Sequence, residues 1–79
     1  MDDELFSDRI QVERKLFFFD LKVNPRGRFL KITEDVGGRR DTIIVPSTGL
    51  HDFRDAIQRA VEAEEEARKK DPVEIDTQA

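Results

Sequence analysis

Aromatic and basic side chains recur at alternate positions in the first half of this 79-residue sequence. Flat rings stack on nucleobases, which contributes about 1–3 kcal/mol per base, while ammonium and guanidinium groups follow phosphates. The pattern therefore has the chemistry that binding to a single-stranded nucleic acid requires. Its members are Phe18, Lys22, Asn24, Phe29 and Lys31.

A second group with binding chemistry is the tetrapeptide Gly37-Gly38-Arg39-Arg40. A glycine turn offers backbone N–H groups, and guanidiniums pair with phosphates or base edges. The segment lacks the Gly-Lys-Ser/Thr ending of a nucleotide-binding P-loop. We therefore retain Arg39 and Arg40 as candidate contacts within a turn.

Catalytic and metal chemistry find little support. The sequence has no cysteine and one histidine, His51, which stands four residues before Asp55 on a predicted helix. Two ligands do not make a metal site. Asp20 is more readily explained as an ion-pair partner of Lys22 or Lys31 than as a general base. We predict no enzyme, no metal and no cofactor.

The hydropathy pattern predicts a sheet that would present the binding residues. Phe17, Phe19, Leu21 and Val23 alternate with mixed residues, so one face of this strand belongs in a core and the other is open. Asn24-Pro25-Arg26-Gly27 has the residues of a type I turn. Strands are predicted over about residues 4–13, 15–24, 28–35 and 41–46.

The rest of the chain predicts one helix over about residues 48–70. Ser47 or Thr48 would be its N-cap, and residues 71–79 would form a flexible tail. Apolar residues at helical spacing mark the buried side. They are Leu50, Phe53, Ala56, Ile57, Ala60 and Val61. The fold class is α+β, with one ββββα domain over residues 4–70.

The small size of the chain predicts self-association. A domain of this mass buries only roughly 60–65% of its extended surface, and no disulfide is available to supplement the core. One helix also covers a four-stranded sheet poorly. A second copy would close the core, so we predict a homodimer.

The formal net charge of −4 at first argues against a nucleic-acid ligand, because polyanions repel acidic proteins. The charge is segregated, however. Residues 1–8 carry −4, residues 9–40 carry +5 and residues 41–79 carry −5. Since the Debye length is about 8 Å at physiological salt, a bound strand senses the local face most.

Compartment is predicted from absences in the sequence. The longest apolar run is Leu16 to Phe19, far short of the roughly 18 residues of a membrane span. The N-terminus is acidic where a secretory signal would be basic. We expect no membrane association and a cytoplasmic location, with association with the nucleoid also open.

The open face of the predicted sheet has two interpretations. It binds single-stranded nucleic acid, or Phe18 and Phe29 lie in a protein interface and the basic residues are solvated, as in a small dimeric adaptor. The alternation alone slightly favours the second, because many small sheets carry exposed lysines.

The stretch from Phe17 to Ile32 resembles the signature of the PUR repeat, the repeat of PUR-alpha-like proteins. There, an aromatic-aromatic-hydrophobic-Asp-Val-Lys-x-Asn run leads into Gly-Arg-Phe-hydrophobic-Lys-hydrophobic. Gly38-Arg39-Arg40 and Phe53-Arg54-Asp55 match further family motifs, and Glu4-Leu5-Phe6-Ser7 is similar to the start of bacterial single-repeat members. The resemblance covers about residues 4–65.

The resemblance implies a Whirly-like ββββα fold, two copies of which intertwine as a homodimer. It also implies binding to purine-rich, G-rich single-stranded DNA and RNA. The family contacts correspond to Lys22, Asn24 and Arg40, with Phe29 as the stacking ring. Arg28, Lys31 and Arg39 are further extrapolations. Because this set falls within the face chosen from alternation and the Arg39-Arg40 turn, nucleic-acid binding becomes the leading hypothesis.

Overall fold

Four antiparallel strands and one α-helix follow each other in the computed structural model, which describes residues 3–70. The strands form a single meander in the order β1-β2-β3-β4. This arrangement confirms the predicted α+β class and its ββββα order. The elements are β1 (Asp3–Val12), β2 (Lys15–Asn24), β3 (Gly27–Val36), β4 (Arg39–Pro46), a 3₁₀ turn (Ser47–Gly49) and α1 (Leu50–Lys70).

Each pair of neighbouring strands is joined by a turn of two residues. Pro25 and Arg26 close the second hairpin, where the Asn24 side chain accepts a hydrogen bond from the Arg26 N–H at 2.9 Å. Gly37 and Gly38 close the third with φ values of 60° and 90°. Because glycine adopts these values without a steric penalty, strands β3 and β4 pair up to the turn itself, further than predicted.

The register divides the sheet into two faces, since directly paired residues share a side. Pairs such as Phe19–Ile32 and Leu21–Leu30 lie on the side of the helix, which we call the helix face. The opposite side, which includes Lys22 and its partner Phe29, is the open face. The alternation expected along β2 is therefore confirmed.

The helix begins later than predicted. Ser47 and Thr48 lie within the 3₁₀ turn that follows Pro46, so neither stands at the N-cap of α1, which starts at Leu50. The N-cap prediction was wrong because that turn intervenes between strand and helix. The predicted tail over residues 71–79 lies outside the described residues. No helix within residues 3–70 is long and apolar enough to cross a membrane.

The helix meets the sheet mainly through its first turns. A cavity of about 310 Å³ separates the two, lined by Phe19, Leu30 and Ile32 from the sheet and by Leu50, Phe53, Arg54, Ile57 and Gln58 from the helix. Within residues 3–70, only Val45 and Thr33 are buried. The Cα radius of gyration is 15.4 Å, against about 11–12 Å for a compact chain of this length. A single copy thus forms only part of a core.

Large apolar side chains remain exposed on the helix face and on α1. Their exposed fractions lie between 36 and 53%. Side chains of this size each contribute about 1.5–3 kcal/mol when they are fully removed from water. The exposed apolar residues are Phe6, Ile10, Val12, Val36 and Ile43 on the sheet and Ile57 and Val61 on the helix.

The glycine turn provides a test of this backbone geometry. We expect Gly38→Ala to lower the free energy of unfolding by about 1–2 kcal/mol, because its φ of 90° strains any residue with a Cβ atom. Gly49→Ala is the matched control. Neither added Cβ would meet an atom within 4 Å, but Gly49 has an ordinary φ, so its substitution should be neutral or slightly stabilising. Urea unfolding at one protein concentration measures both, and equal effects would contradict the assignment.

Candidate nucleic-acid interface

Six of the eight predicted site residues come together on the open face. Lys22 pairs with Phe29, and Lys31 pairs with Asp20 in the next row. Phe18 and Arg40 lie towards the opposite end, and Asn24 lies at the hairpin end. The grouped residues are Phe18, Lys22, Asn24, Phe29, Lys31 and Arg40.

Arg28 and Arg39 occupy helix-face positions instead. Arg28 pairs with Val23, and Arg39 pairs with Val36. Successive residues of a strand point to opposite sides, so the two arginines of the Gly37-Gly38-Arg39-Arg40 segment are separated by the sheet. Arg28 still lines a pocket beside the second hairpin, whereas the structure does not bring Arg39 to the open-face group.

The hairpin end of the open face carries a mostly apolar pocket of about 530 Å³, large enough for a nucleobase. Asn24 lines this pocket. Its amide oxygen accepts a hydrogen bond from the Arg26 N–H, so its amide NH₂ is available as a donor. The lining residues are Asn24, Arg26, Gly27, Arg28, Phe29, Ile44 and Pro46.

Three open-face residues were not identified as site residues from the sequence. Ile44 pairs with Lys31 and is 54% exposed, and Pro46 pairs with Phe29. Because Ile43 to Val45 are all apolar, the sequence shows no alternation there that would assign each residue to a face of the sheet. Arg9 pairs with Phe18 and adds a fourth open-face cation to Lys22, Lys31 and Arg40. The sequence could have indicated Arg9, because it lies among the polar residues that alternate with apolar ones along β1.

At the far end of the open face, Asp35 organises the glycine turn. One carboxylate oxygen accepts the Gly38 N–H at 2.9 Å, and the other accepts the Arg40 Nε–H at 2.9 Å. The guanidinium carbon of Arg40 then lies 5.2 Å from the centroid of the Phe18 ring, within the range of a cation–π contact. Arg40 is thereby held over the sheet.

The register shares the charges between the two faces. Residues 9–40 contain nine basic residues, of which four lie on the open face: Arg9, Lys22, Lys31 and Arg40. Glu4, Asp20 and Asp35 lie there too. Asp20 accepts a hydrogen bond from the Ser7 hydroxyl at 2.8 Å, and within residues 3–70 no ion pair joins it to a lysine, which corrects the predicted pairing.

His51 is exposed at the start of α1. Within residues 3–70, no group of three histidine, cysteine, aspartate or glutamate side chains is placed to hold a metal ion. The open face combines rings, four cations and the Asn24 amide NH₂ with three carboxylates, a set of groups that suits stacking and hydrogen bonding.

Comparison with known protein families gives a match over nearly the whole chain. A family model described as "PurA ssDNA and RNA-binding protein" matches residues 2–78. The chain is also 49% identical over 76 residues to "Transcription factor Pur-alpha 1" of Arabidopsis thaliana, a match that covers 96% of this chain and 26% of that protein.

Two human relatives are more distant. "Purine-rich element-binding protein gamma" is 34% identical over 71 residues, covering 73% of this chain and 20% of that protein. "Transcriptional activator protein Pur-alpha" is 37% identical over 60 residues, covering 75% and 19%. The chain thus spans about a fifth to a quarter of the length of these relatives.

Proposed function

This chain belongs to the PurA family, and from that premise we propose that it is a binding protein for purine-rich single-stranded DNA and RNA rather than an enzyme. The observation that supports this most directly is the meeting of Phe29, Lys22 and Asn24 beside the open-face pocket. A ring, a cation and an amide donor there match the three chemical parts of a nucleotide strand: base plane, phosphate and base edge.

In this proposal Phe29 stacks on a base at the pocket, where Ile44 and Pro46 extend the apolar surface around the ring. Lys22, in the same row of the sheet, contacts the adjoining phosphate. The Asn24 amide NH₂ donates to base acceptors, since its oxygen is occupied by the Arg26 N–H. Guanine presents two adjacent acceptors, N7 and O6, on one base edge, and we assign this donor to that edge.

We also propose that a second copy of the chain covers the helix face. The exposed apolar residues of that face are continuous with the cavity beneath α1, and a single copy buries too few side chains to form a core. Mutual coverage would hide both apolar surfaces by one symmetric contact. The open faces would then remain accessible, one on each copy.

Binding is tested by gel shift with a single-stranded GGN-repeat oligonucleotide across a salt series. Phe29→Ala should weaken binding about 5- to 150-fold through lost stacking, with an unchanged salt slope. Lys22→Ala should lower that slope by about one unit because one phosphate contact is lost.

Lys69→Ala on the helix is the control, since it removes the same charge away from the sheet and should leave the salt slope unchanged. Wild-type affinity weaker than about 10⁻⁴ M at physiological salt would contradict the proposal.

The role of Asn24 is tested by replacing guanine with 7-deazaguanine, which lacks the N7 acceptor. Wild-type protein should bind the modified oligonucleotide about tenfold more weakly if one hydrogen bond is lost. Asn24→Ala should bind both oligonucleotides equally, because its donor is already absent. A modified strand that wild-type protein binds unchanged would refute a contact to N7.

Dimerisation is tested by sedimentation with a matched pair of substitutions. The wild type should sediment at twice the 9.2 kDa chain mass. Ile43→Lys places a charge on the helix face and should dissociate or unfold the dimer, because an unpaired charge cannot be buried cheaply. Ile44→Lys, one residue along β4, lies on the open face with similar exposure and should leave the dimer intact. A folded wild-type monomer would overturn the proposal.

A further inference from the structure

Arg40 is held in place from two directions. The Asp35 carboxylate, only 16% exposed, accepts its Nε–H, and the Phe18 ring lies beneath the guanidinium carbon. The same carboxylate accepts the Gly38 N–H, so it is fixed in turn by the backbone of the glycine turn. The Arg40 side chain nevertheless remains 61% exposed. A planar cation is thus immobilised with much of its surface open to solvent.

This arrangement changes what Phe18 and Arg40 offer to a ligand. Phe18 is half-buried, and Arg40 lies over its ring, so the guanidinium occupies the place where a base would stack. Asp35 offsets the positive charge of Arg40 and engages its Nε–H, which weakens Arg40 as a simple phosphate contact. What Arg40 still presents is a delocalised plane, and guanidinium planes stack on bases as aromatic rings do.

We propose that Arg40 is a second base-stacking platform, supported by Phe18 and positioned by Asp35. The proposal rests on the proposed binding of single strands and gives Arg40 a role different from a phosphate contact. On β3, Phe29 is four residues from Thr33, the partner of Phe18, and six from Asp35, the partner of Arg40, which is about 13–20 Å along the strand. One single strand would therefore be anchored through two bases at opposite ends of the open face.

The distinguishing variant is Arg40→Lys, which keeps the charge but loses the plane and the Nε–H. A stacking platform predicts about tenfold weaker binding with an unchanged salt slope. A phosphate contact predicts nearly unchanged binding. Arg39→Lys is the matched control, because Arg39 is the adjacent residue on the helix face and should leave affinity unchanged.

An abasic scan makes the test specific to stacking. Each base of one bound oligonucleotide is removed in turn, and wild-type protein should lose affinity at two separated positions. Arg40→Lys should abolish sensitivity at one of them, and Phe29→Ala at the other. If Arg40→Lys retains sensitivity at both positions, the platform is refuted even though the protein binds nucleic acid. If wild-type protein binds no strand, the underlying proposed function fails instead.

The positioning roles are tested with Asp35→Asn and Phe18→Leu. Asp35→Asn retains an acceptor for Gly38 but loses the charge that holds Arg40, and Phe18→Leu retains apolar volume without the ring. Each should reduce the abasic sensitivity of the Arg40 position severalfold and shift the Arg40 Nε–H resonance in NMR spectra of the free protein. An unshifted resonance in both folded variants would contradict the positioning.

Discussion

The two-residue period of the strand is the constraint on which the rest of this structure depends. It sends alternate side chains of a four-stranded sheet to opposite sides, and only one side has a helix. Phe19, Leu30 and Ile32 meet that helix, while Ile10 and Ile43 on the same face stay exposed. These exposed apolar side chains are the surface that the proposed second copy would cover. The other side is thereby released from packing and is free to carry rings and cations in contact with solvent.

The same period limits how much electrostatic attraction the chain can offer. The net charge of +5 carried by residues 9–40 suggests a basic surface when only the sequence is considered. In the structure, however, only four of the nine basic residues in this segment lie on the open face, together with three acidic residues. Non-specific attraction to a polyanion scales with the number of phosphates neutralised, so it is modest here. In the proposed binding, stacking and directed hydrogen bonds would then supply more of the affinity, which favours discrimination among bases over general adhesion to nucleic acid.

The sheet and most of the candidate site were predictable because strong alternation in β2 fixes both the strand and its sides. Phe18, Lys22 and Asn24 follow directly from it. Arg39 was grouped with Arg40 because the two are adjacent in a motif, although adjacency in a strand means opposite faces. Ile44 was concealed by its apolar neighbours. The pairing of Asp20 with Ser7 and of Asp35 with Arg40 depends on the register between strands, which composition and local period leave open.

Two of the three acidic residues of the open face, Asp20 and Asp35, would contribute to the selectivity of the proposed binding surface. A bare carboxylate beside a phosphate path would repel the ligand, but Asp20 and Asp35 both accept hydrogen bonds within the sheet. The ion pair with Asp35 offsets part of the positive charge of Arg40 and holds its side chain in place. Because the guanidinium is already immobilised, it would lose less conformational entropy on binding than a free arginine does. The long-range electrostatic attraction of Arg40 for a strand is reduced, while the guanidinium plane is held ready for contact with a base. For a protein with a net charge of −4, that exchange would make the proposed binding depend on correctly placed bases rather than on phosphate alone.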